Sequence, residues 1–165
     1  MYKASDLVVY GIHGVCTVLE LETKKMDGKL VEYYVLEPVG RPGTRYYVPT
    51  GNPLAVSKIC AIMTKEELDR ILGDSALRES CWIDEENNRK QRYKELLGGP
   101  DRGALIQMVH TLVMQKDFCA AAGKKFHQCD ENFLRDAQKL LDCEISVVLG
   151  MPMCDVKAYM ESKFL

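Results

Sequence analysis

The sequence predicts a two-part α+β protein, a small N-terminal β-barrel of the Tudor or SH3 kind followed by a C-terminal all-α helical bundle. Three observations predict it. Short runs of β-branched and aromatic residues, each closed by a glycine or proline corner, fill the chain to about residue 60. An Asp27-Gly28 pair among them reads as a hairpin turn, because both central positions of a type I′ turn want positive φ. From Thr64 onward apolar residues recur at helical spacing instead. The boundary is expected after residue 62, giving parts of 1–62 and 63–165.

The first strand is Leu7 to Tyr10, turned by Gly11 and Gly14 at a tight corner. Val15 to Glu22 follows as a second strand, with Val18 and Leu19 off the two-residue period. After the Asp-Gly turn, Leu30 to Glu37 is the third. Pro38, Gly40, Pro42 and Gly43 end it, since proline cannot donate to a ladder. Arg45 to Val48 is a fourth strand, and Val56 to Ile62 returns as a fifth, edge strand beyond Pro49, Gly51, Asn52 and Pro53. Adjacent tyrosines at 33/34 and 46/47 alternate across the sheet, so one of each pair faces inward.

Thr64 with Glu67 is a capping box opening a helix whose apolar face is Leu68, Ile71 and Leu72, ended by Gly73. A polar connection over 74–83 carries Trp82, the one tryptophan. Asp84 to Leu97 is a second helix, stopped by Gly98-Gly99-Pro100. The next helix opens at Asp101 and presents Leu105, Met108, Val109, Leu112 and Val113 at i, i+3, i+4, i+7 and i+8. A fourth is capped by Asp130 and carries Phe133, Ala137, Leu140, Leu141 and Val148 up to Gly150. A final short helix holds Val156, Tyr159, Met160 and Phe164.

Composition narrows the function. The 165 residues hold 22 bases and 24 acids, so overall charge does not advertise nucleic acid and any such contact needs a local patch. Seven cysteines are scattered without a C-x-x-C pair, which suits a reducing cytoplasm better than a disulfide or zinc framework. No apolar run is long enough to span a membrane and the N-terminus lacks a signal-peptide pattern, so the chain reads as cytoplasmic with no membrane partner. No phosphate loop, paired-carboxylate constellation or nucleophile elbow appears, and the chain reads as non-enzymatic with no cofactor. Cys119, His127 and Cys129 have metal-ligand chemistry, but their spacing fits no standard structural site and a fourth ligand is missing.

Asp6-Leu7-Val8-Val9-Tyr10-Gly11-Ile12-His13-Gly14-Val15, the Glu20-Leu21-Glu22 strand, Glu32-Tyr33-Tyr34-Val35-Leu36 and Tyr47-Val48-Pro49 resemble, in order and spacing, the N-terminal module of the CarD-like bacterial transcription regulators. That module is shared with the polymerase-binding part of transcription-repair coupling factor. Arg92-Tyr93-Lys94, the Gly-Gly-Pro-Asp break and the helix holding Glu144 resemble that family's helical C-terminal domain. The resemblance implies a Tudor-like domain that docks on the RNA polymerase β subunit, with Lys24, Tyr47, Val48 and Pro49 as the candidate contact residues. It also implies a helical domain that touches promoter DNA, with Trp82, Arg89, Lys90, Arg92 and Lys94 as candidates. Tyr47 stands where family members carry a base, and Trp82 lies eleven residues before Tyr93, farther than the family's wedge tryptophan.

The residues themselves leave rival readings. Glu85 with Arg89 and Glu86 with Lys90 are i, i+4 pairs in the favourable order, as on a solvated salt-bridged helix. Trp82 fits a bundle core as well as a minor-groove wedge. His13 between two glycines reads as a corner residue bonded to a neighbouring carbonyl. An RNA-binding or ribosome-associated barrel is the alternative function, but residues 1–63 hold only 7 bases against 6 acids.

Overall fold

The computed structural model describes residues 1–164; Leu165 and the side chain of Phe164 lie outside them. The chain divides into two compact units, Met1–Ile62 and Met63–Leu165.

The first unit is a five-stranded antiparallel sheet of β1 (Leu7–Tyr10), β2 (Val15–Met26), β3 (Lys29–Pro38), β4 (Tyr46–Pro49) and β5 (Ile59–Ala61) in the order β4-β3-β2-β1-β5. One helical turn, α1 (Pro53–Val56), precedes β5. The chain turns from β1 to β2 through a 3-10 turn at Gly11–His13, with φ of 45° at Gly11 and 77° at Gly14. Tyr10 N–H closes that corner on the Gly14 carbonyl at 3.0 Å. Asp27 and Gly28 both take positive φ, 49° and 82°, as a type I′ turn demands.

The off-period pair in β2 has a structural cause. The β2·β3 register shifts between Val18 and Glu20, leaving Leu19 as an extra residue. Such a bulge adds twist and lets a long ribbon curl over its own face. Val8, Cys16, Val18, Tyr34, Leu36, Val48 and Ile59 form the core beneath it, with Tyr2, Tyr10, Tyr46 and Ala55 packed on its margin. In each tyrosine pair the pleat separates the two rings: Tyr34 is buried and Tyr33 half-buried, while Tyr46 packs on the core and Tyr47 is exposed. The fifth strand is shorter than its sequence suggests. Asn52 accepts hydrogen bonds from the N–H groups of Leu54 and Ala55, and Pro53 follows at a first-turn position, so the segment spends a helical turn before pairing with β1.

The second unit is helical: α2 (Lys65–Gly73), a 3-10 turn at Ser75–Arg78, α3 (Glu86–Gly98), α4 (Arg102–Ala121), α5 (Gln128–Leu149) and α6 (Met153–Phe164). The Thr64/Glu67 capping box forms in both directions, at 3.1 and 2.8 Å. Asp101 caps α4 by accepting from Ala104 N–H, and Gly150 ends α5 in a left-handed conformation. Asp130, expected as a cap, is not one. The helix starts from His127, and Asp130 lies inside its first turn, buried.

The buried seam of α5 runs Asp130, Leu134, Ala137, Leu141, Glu144, a four-three alternation that keeps one stripe against its neighbours. Two carboxylates therefore sit among apolar positions, and each finds an arginine. Arg89 of α3 meets Asp130 with two parallel bonds of 3.1 Å, and both side chains are almost wholly buried. Arg102 of α4 reaches Glu144 at 2.5 Å, while the other Glu144 oxygen accepts Met63 N–H at 3.0 Å. Tyr93 is buried beside them, edge-on to Phe133, and its hydroxyl has no hydrogen-bond partner among the described residues.

These two kinds of buried polar group make opposite predictions. Asp130→Asn should cost about 3–5 kcal/mol in a urea titration, because it strands a buried guanidinium. Tyr93→Phe removes an unbonded hydroxyl and should leave stability unchanged or raise it. Equal losses for the two variants would show that Asp130 is no more than a packing residue.

Candidate interaction surface

The outer edge of β4 is built by its register. Tyr33 to Leu36 of β3 pair with Pro49 to Tyr46 of β4, and Thr50 N–H donates to the Glu32 carbonyl at 2.9 Å. In an antiparallel ladder the residues that exchange bonds alternate. Positions 48 and 46 therefore share the phase of 50 and bond to β3, whereas Tyr47 turns its N–H and C=O outward. Pro49, also outward, has no N–H to strand at the edge, which is where a sheet tolerates proline.

The side chains of that edge form a cluster with the neighbouring ribbon. Lys24 and Tyr47 come together, the ammonium lying 3.7 Å from the ring centroid. Tyr33 stands edge-on to Tyr47 with centroids 6.4 Å apart, and Glu22 holds the far side of Lys24 at 3.5 Å. Tyr47 thus carries the Lys24 cation on its face. Val48, expected among the contacts, is buried under the sheet and supports the edge rather than reaching a partner. Pro49 is half-buried.

At the other edge, β5 pairs with β1 so that Gly11 N–H donates to the Lys58 carbonyl at 2.9 Å, which by the same alternation turns the main-chain N–H and C=O of Ile59 outward while its side chain stays in the core. The Tyr2 hydroxyl donates to that Ile59 carbonyl at 3.4 Å. This edge is partly occupied by the chain's own side chain.

Residues 2–60 match the family model of the CarD-like/TRCF RID domain. The chain carries that domain at its N-terminus. The CarD-like/TRCF RID domain is an interaction module of RNA-polymerase-associated transcription factors rather than a catalytic one. No curated protein matches the chain.

The helical candidates separate sharply. Arg89 is a correction to the sequence reading: four of its five N–H groups are used, two on Asp130 and two on the carbonyls of Ile83 and Asp84, at 2.8 and 3.3 Å. Buried and so engaged, it is out of reach of a phosphate. Trp82 lies outside α3, half-buried against the helical core, with the Arg89 guanidinium 4.2 Å from its ring centroid. Trp82 therefore shares no helical face with Arg89 and Tyr93. Glu85 caps α3, and two backbone N–H groups hold its carboxylate below the usual range. Lys90 pairs with Glu86, while Arg92 and Lys94 are exposed.

No group of three or more His, Cys, Asp or Glu side chains converges to hold a metal among the described residues, and no helix there is long and apolar enough to cross a membrane. His13 makes no carbonyl bond of the kind expected of it. Its ring lies 4.3 Å from that of Tyr46 and 5.0 Å from that of Tyr10. This cluster escaped the sequence because it joins a corner to a strand 33 residues away.

Burial against the two tyrosines, then Arg41 and Lys58, push the His13 imidazole below its ordinary value of 6.5. A lowered base binds fewer protons folded than unfolded, so its contribution to stability is present above pH 6.5 and lost as pH falls through the folded midpoint. An NMR titration of His13 should give a midpoint below that of a free histidine, and Tyr46→Ala should move it back up. A midpoint at the free value would dissolve the aromatic cluster.

Proposed function

We propose that the chain is a non-enzymatic regulator of bacterial transcription that docks on the RNA polymerase β subunit through the outer edge of β4. The observation that carries this reading is an unpaired edge, Tyr47 N–H and C=O outward, inside a domain matched by the CarD-like/TRCF RID family. A partner strand laid along β4 would bond to the Tyr47 main chain and to the Pro49 carbonyl, extending the sheet by β-augmentation. Main-chain pairing is indifferent to side-chain identity, which accommodates a tyrosine where relatives place a base. Lys24 and Tyr47 then supply charge and an aromatic face beside the added strand. Cytoplasmic location follows from that partner.

In the same proposal the helical unit touches promoter DNA through α3. Lys90 and Lys94 are one turn apart on one side of the helix, and Arg92 lies on the opposite flank of its buried face. Lys90 is shared with Glu86 and Arg92 with Glu95 at 3.8 Å, so Lys94 is the principal phosphate contact and Arg92, whose pair is exposed, the second. Trp82 and Arg89 support them by fixing the start of α3. The rival RNA-binding reading has no comparable support, since residues 1–63 hold 7 bases against 6 acids.

Binding of the full chain to a purified polymerase β fragment tests the first half. Tyr47→Pro deletes the outward N–H without touching the β3 ladder and should weaken binding about tenfold or more. Lys24→Glu should weaken it by a smaller, salt-dependent factor. Unchanged affinity in both variants, with normal folding, removes β4 from the interface.

The second half is tested by promoter binding across a salt series. Two or three phosphate contacts give a slope of log K against log salt of about −2 to −3. Lys94→Ala should flatten it by about one unit. A slope near zero, or one insensitive to Lys94 and Arg92, would exclude DNA from this surface.

A further inference from the structure

The helical unit holds a cleft of about 600 Å³ between α4, α5 and α6, a size common to small-molecule sites. Its floor is apolar: Ile106 and Val109 from α4, Leu134 and Leu141 from α5, and Met160 from α6. Charged side chains line the rim, and most of them already have partners. Lys116 and Glu131 tie α4 to α5 at 2.8 Å, Lys157 and Glu161 face each other at 3.9 Å along α6, and Arg135 turns to Asp136 at 3.3 Å.

Asp142 is different. It projects from α5 into the same cleft, half-buried, and takes part in none of the ion pairs or side-chain hydrogen bonds found among the described residues. Burial pushes its carboxyl above the usual range, and only the field of Lys157 opposes that shift. An ionised carboxylate on an apolar floor is costly unless a cation sits beside it.

We propose that this cleft binds a small amphipathic cation, an amine with an aliphatic or aromatic body, whose ammonium pairs with Asp142 while its body covers the floor formed by Ile106, Val109, Leu141 and Met160. The charge of the site selects the sign. An acid entering the cleft would meet Asp142 and Asp117, while the cations Lys116, Arg135 and Lys157 sit at the exposed rim, each beside a carboxylate, Glu131, Asp136 and Glu161. A neutral ligand would gain the apolar contact but leave Asp142 uncompensated. The proposal is independent of the transcriptional reading, since it concerns neither β4 nor the exposed bases of α3.

Hexylamine, hexanol and hexanoate, three probes of one chain length and different charge, distinguish the outcomes. A ligand that binds only the folded state raises the melting temperature by mass action, and the full chain should respond to hexylamine first, with hexanoate inert. Methyl NMR should place the perturbation at Val109, Leu141 and Met160. Asp142→Asn keeps the shape and removes the charge, and should weaken hexylamine about tenfold while leaving hexanol unchanged. Equal responses to hexylamine and hexanoate, perturbations outside the cleft, or an undiminished amine response in Asp142→Asn would each overturn the proposal. The comparison of the three probes on the wild-type chain decides the charge preference even if the variant folds poorly.

Discussion

The helical unit depends on a guanidinium placed out of reach of water. Arg89 and Asp130 are almost wholly buried, and removing two such charges from solvent costs several kcal/mol per ion before any attraction is counted. The cost is offset by geometry: two parallel bonds to one carboxylate, two further bonds to the carbonyls of Ile83 and Asp84, and an indole face against the guanidinium. Each partner constrains a different piece of chain. Asp130 fixes α3 against the start of α5, and the two carbonyls fix the irregular segment that leads into α3.

Glu144 repeats the device fourteen residues along the same seam of α5. Its two oxygens divide between Arg102, at the start of α4, and the main-chain N–H of Met63, where the helical unit begins. Arg102 in turn donates to the Gly99 carbonyl at 2.8 Å and closes the α3–α4 turn. A seam of leucines alone would pack, but it would accept a neighbouring helix slid by one turn. A buried carboxylate does not, because the slid arrangement leaves it without its arginine. The register of three helices and of the unit's first residue is thus written on one face of α5.

That face was half legible in the sequence. Leu134, Ala137 and Leu141 announce it by their spacing, and Asp130 and Glu144 fall on the same four-three alternation. A carboxylate before a helix reads first as a cap, however, and the partner arginine lies 41 residues away, beyond the reach of any local pattern. Arg89 was misread for the same reason. Among four bases in six residues, nothing local distinguishes the one that turns inward. Local chemistry was readable where the answer was itself local: the capping box at Thr64, the type I′ turn at Asp27-Gly28, and the glycine corner before β2. The bulge at Leu19 announced itself only as broken alternation, and its meaning needed the β3 partner.

In the barrel the same distinction decides which surface can recognise anything. An open strand edge is a liability, and each edge here is shortened and guarded. At β5 the guard is the Tyr2 hydroxyl on the Ile59 carbonyl, a bond from the chain to itself. At β4 the guards are side chains beside the edge, Lys24 over Tyr47 and Tyr33 against it, and they leave the Tyr47 main chain uncovered. Lysine discourages pairing with a second apolar edge while permitting a strand that brings acidic side chains of its own. Pro49 then limits the pairing to one outward N–H at Tyr47 and forces a partner to end or bend where β4 does. Under the docking on β4 proposed above, selection rests on length, charge and direction more than on residue identity, and favours a short segment flanked by acids.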